Sequence, residues 1–247
     1  MNSVGHHYVH EPLVEAVIEL RLKEPLPEKV IEAVGRRFNR LKWPSEELFD
    51  FTFEVAEGTP RVGSKTLSGY KITSKDGDRV VSIGHETIAA SVLAPYPGWD
   101  AFVAFFWETN DAWRKEVGER RPLARMGVRY VNRFDIPCPP GEVVQVRDYM
   151  TFGTTEPALL DDPDRHFTAT VHGGILADRL RVNVVSATVV SPLIDHVSLS
   201  LDIDLYKVGV DVPTSTNEIT SVLNLIRERR TEVFELCITD KARALIS

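Results

Sequence analysis

The sequence predicts an α+β protein in which one plan is read twice: strand, helix, antiparallel meander, helix, then that order again. Three observations carry this. Several stretches alternate apolar and polar residues at period two, as half-buried strands do. Others repeat apolar residues at helical spacing. The order of these stretches repeats after about residue 118, although the halves share little residue identity. The expected organisation is a flexible arm over 1–12, a first unit over 13–118 and a second over 119–247, forming one compact body. The units would be related by a pseudo-two-fold arrangement, with helices packed mainly on one side of the sheets.

Residues 1–12 are polar and end at Pro12, which suits an arm. Glu15 to Leu22 alternates, with Ala16, Ile18, Leu20 and Leu22 inward and Glu15, Val17, Glu19 and Arg21 outward. Pro25 and Pro27 open a helix whose stripe is Val30, Ile31, Val34, Phe38 and Leu41. Short strands follow at Phe51–Val55, Tyr70–Ser74 and Arg79–Ile83, with an Asp76-Gly77 hairpin turn between the last two. Thr87 to Leu93 continues the meander. The helix from Asp100 to Val117 carries Phe102, Phe105, Phe106, Trp107 and Trp113, more ring area than one stripe buries. Beyond the central strand, Val143 to Tyr149 reads as a short helix, and 152–165 as a loop with an acidic run. Three alternating strands then cover 166–176, 179–190 and 197–207. Ser215 or Thr216 caps a long helix with the stripe Ile219, Val222, Leu223, Ile226, Val233, Phe234 and Cys237, and a last turn ends at Ile246.

The central strand, Arg125 to Ile136, holds the most distinctive pattern. Met126, Val128, Tyr130, Asn132, Phe134 and Ile136 share one face; Arg125, Arg129 and Arg133 share the other. If the lead strands of the two units pair, Glu15 and Glu19 lie beside these arginines as a cross-strand charge ladder. Each such pair contributes about 0.2–1 kcal/mol and needs no ligand. The sharper alternative is a binding surface for an anion or acidic partner built from Arg21, Arg125, Arg129 and Arg133, joined by Arg179 and Arg181. Tyr130 and Asn132, on the inner face, would anchor polar groups within the core.

Composition narrows the classes. Apolar residues at 43% and charged residues at 26% suit a globular protein, and a net charge of −7 argues against a general nucleic-acid surface. Two cysteines build no disulfide framework, no segment reads as a signal peptide, and no run is long enough to span a bilayer. The expectation is therefore cytoplasmic, with no cofactor and no membrane partner.

Other constellations resolve into structure. Gly58-Thr59-Pro60-Arg61-Val62-Gly63-Ser64-Lys65-Thr66 resembles a phosphate loop, but a residue intrudes before the lysine and a strand follows where a helix is needed. An exposed hairpin loop fits better. His166 and His172 share a strand face but stand roughly 20 Å apart, too far for one ion. His6, His7 and His10 lie in the arm. Cys237 reads as a buried small hydrophobe and Cys138, between two prolines, as exposed. Asp202 and Asp204 read as solvated carboxylates, and no GxSxG elbow occurs. No catalytic and no metal-ligating residue emerges.

Three segments, Pro12-Leu13-Val14-Glu15-Ala16-Val17-Ile18-Glu19-Leu20-Arg21, Arg129-Tyr130-Val131-Asn132-Arg133 and Phe234-Glu235-Leu236-Cys237-Ile238-Thr239-Asp240-Lys241, span the chain. Together they resemble a sporadically distributed family of bacterial proteins of about this length, with no assigned biochemical activity. The resemblance brings no catalytic residue with it. It implies an association with toxin–antitoxin pairs, phage defence or mobile elements. The resulting expectation is a non-enzymatic interaction protein, with a protein partner encoded at the same locus. Its candidate contact surfaces are the aromatic helix 100–117 and the helix-free sheet face. The alternative is an enzyme or ligand-binding domain with an arginine-lined cleft for an anionic small molecule or nucleic acid. Self-association into a homo-oligomer through strand edges or the aromatic helix is a further expectation.

Overall fold

The computed structural model describes residues 8–56, 59–118, 121–152 and 169–247. Among these residues it is a mixed α/β protein with a nine-stranded antiparallel sheet and four α-helices. The strands are β1 (Leu13–Leu22), β2 (Ser45–Ala56), β3 (Thr59–Thr73), β4 (Arg79–Gly84), β5 (Thr87–Leu93), β6 (Leu123–Pro137), β7 (Ala169–Ile175), β8 (Arg181–Val189) and β9 (His196–Val208). The helices are α1 (Glu28–Phe38), α2 (Trp99–Val117), α3 (Thr216–Cys237) and α4 (Asp240–Ile246). The sheet order is β2-β3-β4-β5-β1-β6-β9-β8-β7.

The chain forms two compact units, one of Val17–Met126 with Val208–Thr214, the other of Met1–Ala16, Gly127–Lys207 and Ser215–Ser247. Both are discontinuous in sequence, unlike the expected division after residue 118.

The Val17–Met126 unit buries Ile18, Leu20 and Leu22 of β1 with Val81, Ile83, Ile88 and Ala90 of the meander. α1 and α2 pack against each other, α1 on β3 and α2 on β5. α1 starts at Pro27, whose fixed φ suits a helix entry, and buries Ile31, Val34 and Phe38. Gly35 admits the Tyr70 ring, which a Cβ there would meet at 2.6 Å. The aromatic load of α2 is internal: Phe102, Phe105, Phe106 and Trp113 are all buried. Those four rings form the core of this unit, while Trp107 is half-buried.

β2 and β3 are longer than their apolar cores suggested. They pair from Ser45↔Ile72 to Ala56↔Thr59, with register shifts after Leu48 and Thr52. The acidic start of β2 and the Pro/Gly content of β3 disguise them; a backbone ladder needs no apolar side chain. Lys65 Nζ lies 3.6 Å from the centre of the Phe49 ring.

In the other unit the inner face of β6 presents Val128, Tyr130, Phe134 and Ile136. Phe134 stacks on Phe234 of α3 at 6.3 Å and 16°. Asn132, buried, donates to the Leu201 carbonyl at 3.1 Å. Ser215 begins α3 with a capping box: its hydroxyl accepts from Glu218 N–H at 3.3 Å, and Glu218 accepts from Ser215 N–H at 3.2 Å. Tyr8 to Pro12 is bonded into this unit, unlike the arm expected there. Tyr8 donates to Glu235 at 2.6 Å, His10 N–H to Ile246 O at 3.0 Å, and Arg133 N–H to Pro12 O at 2.8 Å. Burial, then the Glu235 bond, pushes the Tyr8 phenol up to about 12. The short helix expected over 143–149 is one 3-10 turn, Val146–Asp148. The remainder of the expected 152–165 loop, including its acidic run, and the start of the 166–176 strand lie outside the described residues.

Candidate functional site

β6 alternates between a buried and an open face, and its arginines occupy the open one. In the unit holding Gly127–Lys207, Arg129 reaches Asp202 on β9. Its Nε donates to both carboxylate oxygens at 2.9 Å and its Nη2 to Oδ2 at 2.5 Å. This is a fork on a carboxylate, the geometry arginine's planar group favours. The Asp202 bond raises the Arg129 pKa, against burial and aided by the charges of Asp202, Glu15 and Asp204. The Arg129 side chain is still 54% exposed and that of Asp202 only 17%. The fork occupies the Nε–Nη2 edge of the guanidinium. Arg133 Nε donates to Asp135 Oδ1 at 3.0 Å, and that oxygen also accepts from the buried Ser198 hydroxyl at 2.5 Å.

In the other unit Glu19 Oε1 accepts from Arg125 Nη1 at 2.9 Å and from Arg21 Nη2 at 3.3 Å. Glu19 therefore meets Arg125. Glu15 reaches Arg129 only through its charge, because the fork belongs to Asp202. All four sequence-derived arginines thus contact a carboxylate, from three different acids: Glu19, Asp202 and Asp135. Asp202 and Asp135 are partners the sequence reading did not assign. Asp135 was legible from its i+2 place on the arginine face; Asp202 required knowing that β9 lies beside β6.

The open face of the Gly127–Lys207 unit is close to charge balance. Parity and register place Arg129, Arg133 and Arg181 there against Asp135, Asp202 and Asp204, with Glu15 of β1 alongside. Three positive groups face four negative ones. Polar uncharged groups, Ser200 and Asn183, lie between them. Such a face can match both signs on a partner but gives no net pull on a polyanion.

The other constellations have structural roles where they are described. Thr59–Thr66 of the phosphate-loop look-alike is strand β3 of a hairpin, not an exposed loop; Gly58 lies outside the described residues. Among the described residues no three His, Cys, Asp or Glu side chains gather to hold a metal. His172 packs edge-on to Phe152 at 5.2 Å, and His196 Nδ1 lies 2.7 Å from Ile194 O; His6, His7 and His166 lie outside the described residues. Arg179 sits at the β7–β8 turn with φ 61°. Cys237 is buried, which pushes its thiol up to about 11, and Cys138 Sγ donates to Glu142 O at 3.2 Å.

One polar residue that periodicity did not single out is His85, on the β4–β5 turn. Its Nδ1 lies 2.8 Å from Leu26 O and its Nε2 2.9 Å from Leu67 O. Both neighbours are carbonyl oxygens, so the imidazolium form, in which both nitrogens donate, is the form that satisfies both contacts. Those two bonds raise its pKa. The ring clamps the entry of α1 to β3.

No family model matches the chain, and no curated protein matches it. Among solved structures it is similar to the crystal structure of DynU16, a protein in the dynemicin biosynthetic locus. That similarity has 13% identity and a TM-score of 0.21, over 87% of this chain and 94% of the other.

Proposed function

We propose that the chain is a non-enzymatic interaction protein whose open sheet face, around Arg129 and Asp202, docks a protein partner. The Arg129–Asp202 fork carries this reading. Its guanidinium is already neutralised along one edge while the side chain is still 54% exposed, on a face where acids slightly outnumber bases. A free anion would have to displace Asp202. A protein can instead bring a carbonyl or carboxylate to the exposed part of the Arg129 side chain and basic groups opposite Glu15. A partner from the same locus, a toxin–antitoxin or phage-defence setting and a cytoplasmic location belong to this proposal, on the strength of the family resemblance.

The duplicated plan is part of the same proposal. In each half the last strand of a meander, β5 or β9, returns beside its lead strand, β1 or β6. A long helix follows each meander. The pseudo-two-fold relation rests on that order. Against a strict repeat, α1 has no α-helical counterpart after β6 among the described residues.

The test is gentle affinity purification from the native host, with Asp202→Lys beside the wild type and melting curves to check folding. A stoichiometric protein partner, lost in the folded variant, is the expected result. Recovery of a phosphate-bearing small molecule or nucleic acid instead, or a partner retained by Asp202→Lys, overturns the proposal.

A further inference from the structure

Among the described residues the sheet ends on two strands, β2 and β7, that differ in chemistry. β2, at one end, carries Glu46, Glu47 and Asp50 and two register shifts. Charges and bulges are the devices that stop an edge from recruiting another strand. β7, at the other end, has neither. No Asp, Glu, Lys or Arg occurs from Ala169 to Ala177, and its pairing with β8 runs from Ala169↔Ala187 to Ile175↔Arg181 without a shift. Val171 and Ile175 are 69% and 64% exposed, and their odd positions put them on one face.

We propose that β7 pairs antiparallel with β7 of a second copy of this chain. A two-fold axis at Gly173 sets Val171 opposite Ile175 of the other copy, and Ile175 opposite its Val171. Residues directly opposite in an antiparallel pair share a face, so both contacts form on the same side and cover the two exposed apolar side chains. Gly173 then faces its own equivalent, and His172 faces Gly174. No like charges meet, because the segment carries none, so the strand is complementary to itself in charge and in shape. An isologous contact of this kind closes as a dimer. About five paired residues per copy make a small interface, so association is weak and concentration-dependent.

Two measurements test it. In sedimentation velocity, the full chain should move toward a dimer as concentration rises to roughly 500 µM, the range a small interface needs. The double variant Val171→Lys/Ile175→Lys should weaken association at least about tenfold, since it sets lysines opposite one another. Both side chains are largely exposed, so the fold survives the change. Second, Gly173→Cys in a Cys138→Ser background should form an intermolecular disulfide under mild oxidation. Opposed residues of an antiparallel pair stand about 4.5–5.5 Å apart at Cα, within disulfide reach. A Cβ at Gly173 meets only the Asn183 side chain closely, at 3.1 Å. Val190→Cys, at a site 95% exposed, is the control for random collision. A chain that stays monomeric throughout, a dimer indifferent to the lysines, or equal cross-linking at Gly173→Cys and Val190→Cys overturns the proposal.

Discussion

If Arg129 belongs to Asp202, removing the two side chains singly and together should give an asymmetric cycle. Arg129→Ala leaves Asp202, whose side chain is 17% exposed, mostly covered and without its forked donor. An under-satisfied charged acceptor costs about 1–3 kcal/mol, and the remaining exposure puts this one near the lower end. Asp202→Ala leaves an arginine already 54% exposed, which water can solvate, so roughly 0.5 kcal/mol is expected. The double variant should lie close to Arg129→Ala alone, giving a coupling of about 0.5 kcal/mol, the size of the Asp202→Ala effect. The assay is urea unfolding of the four proteins at low salt, repeated at 1 M salt, where screening should shrink the coupling. Arginines held ready for a ligand behave differently: removing one relieves like-charge strain. A gain in stability from Arg129→Ala, or a coupling indistinguishable from zero, would refute the internal pairing.

Three other outcomes follow from the packing. His85 has a folded pKa above its unfolded value of about 6.5, so its contribution is fully present below that pH. That contribution is lost as pH rises through the folded pKa, and the pH dependence of the urea midpoint should flatten over this window in His85→Gln. Phe102→Ala empties the centre of the Val17–Met126 unit, where the ring is fully buried, and should cost about 3–5 kcal/mol in thermal unfolding. Cys237, with its thiol pushed up to about 11, should resist a thiol reagent in the native state while Cys138 reacts; equal rates would contradict the burial.

Periodicity made much of the fold legible. Strand β6, its two faces, the helix cap at Ser215 or Thr216 and the helical stripes of α1 and α3 all rest on local rules that act within a few residues. What escaped depends on long-range pairing. β2 opens with Ser45-Glu46-Glu47 and β3 with Thr59-Pro60-Arg61, which are poor strand signals alone yet good partners across a hairpin. The aromatic rings of α2 gave the amount of apolar area but not its destination. The same limit applied to the arginines. Glu19 was visible as a neighbour because it lies on the other lead strand. Asp202 sits 73 residues from Arg129, and parity alone gave only its face. His85 carries no periodic signal; only its two carbonyl neighbours mark it.

The most direct measurement follows the Arg129 Nε–H resonance while the purified chain is titrated with inorganic phosphate, a nucleoside triphosphate and a short single-stranded oligonucleotide. A guanidinium already forked on Asp202 should give a protected signal that none of the three probes moves in a saturable way. A saturable shift with any of them, abolished in Arg133→Ala, would mean that the row is an anion site and that its carboxylates are only placeholders.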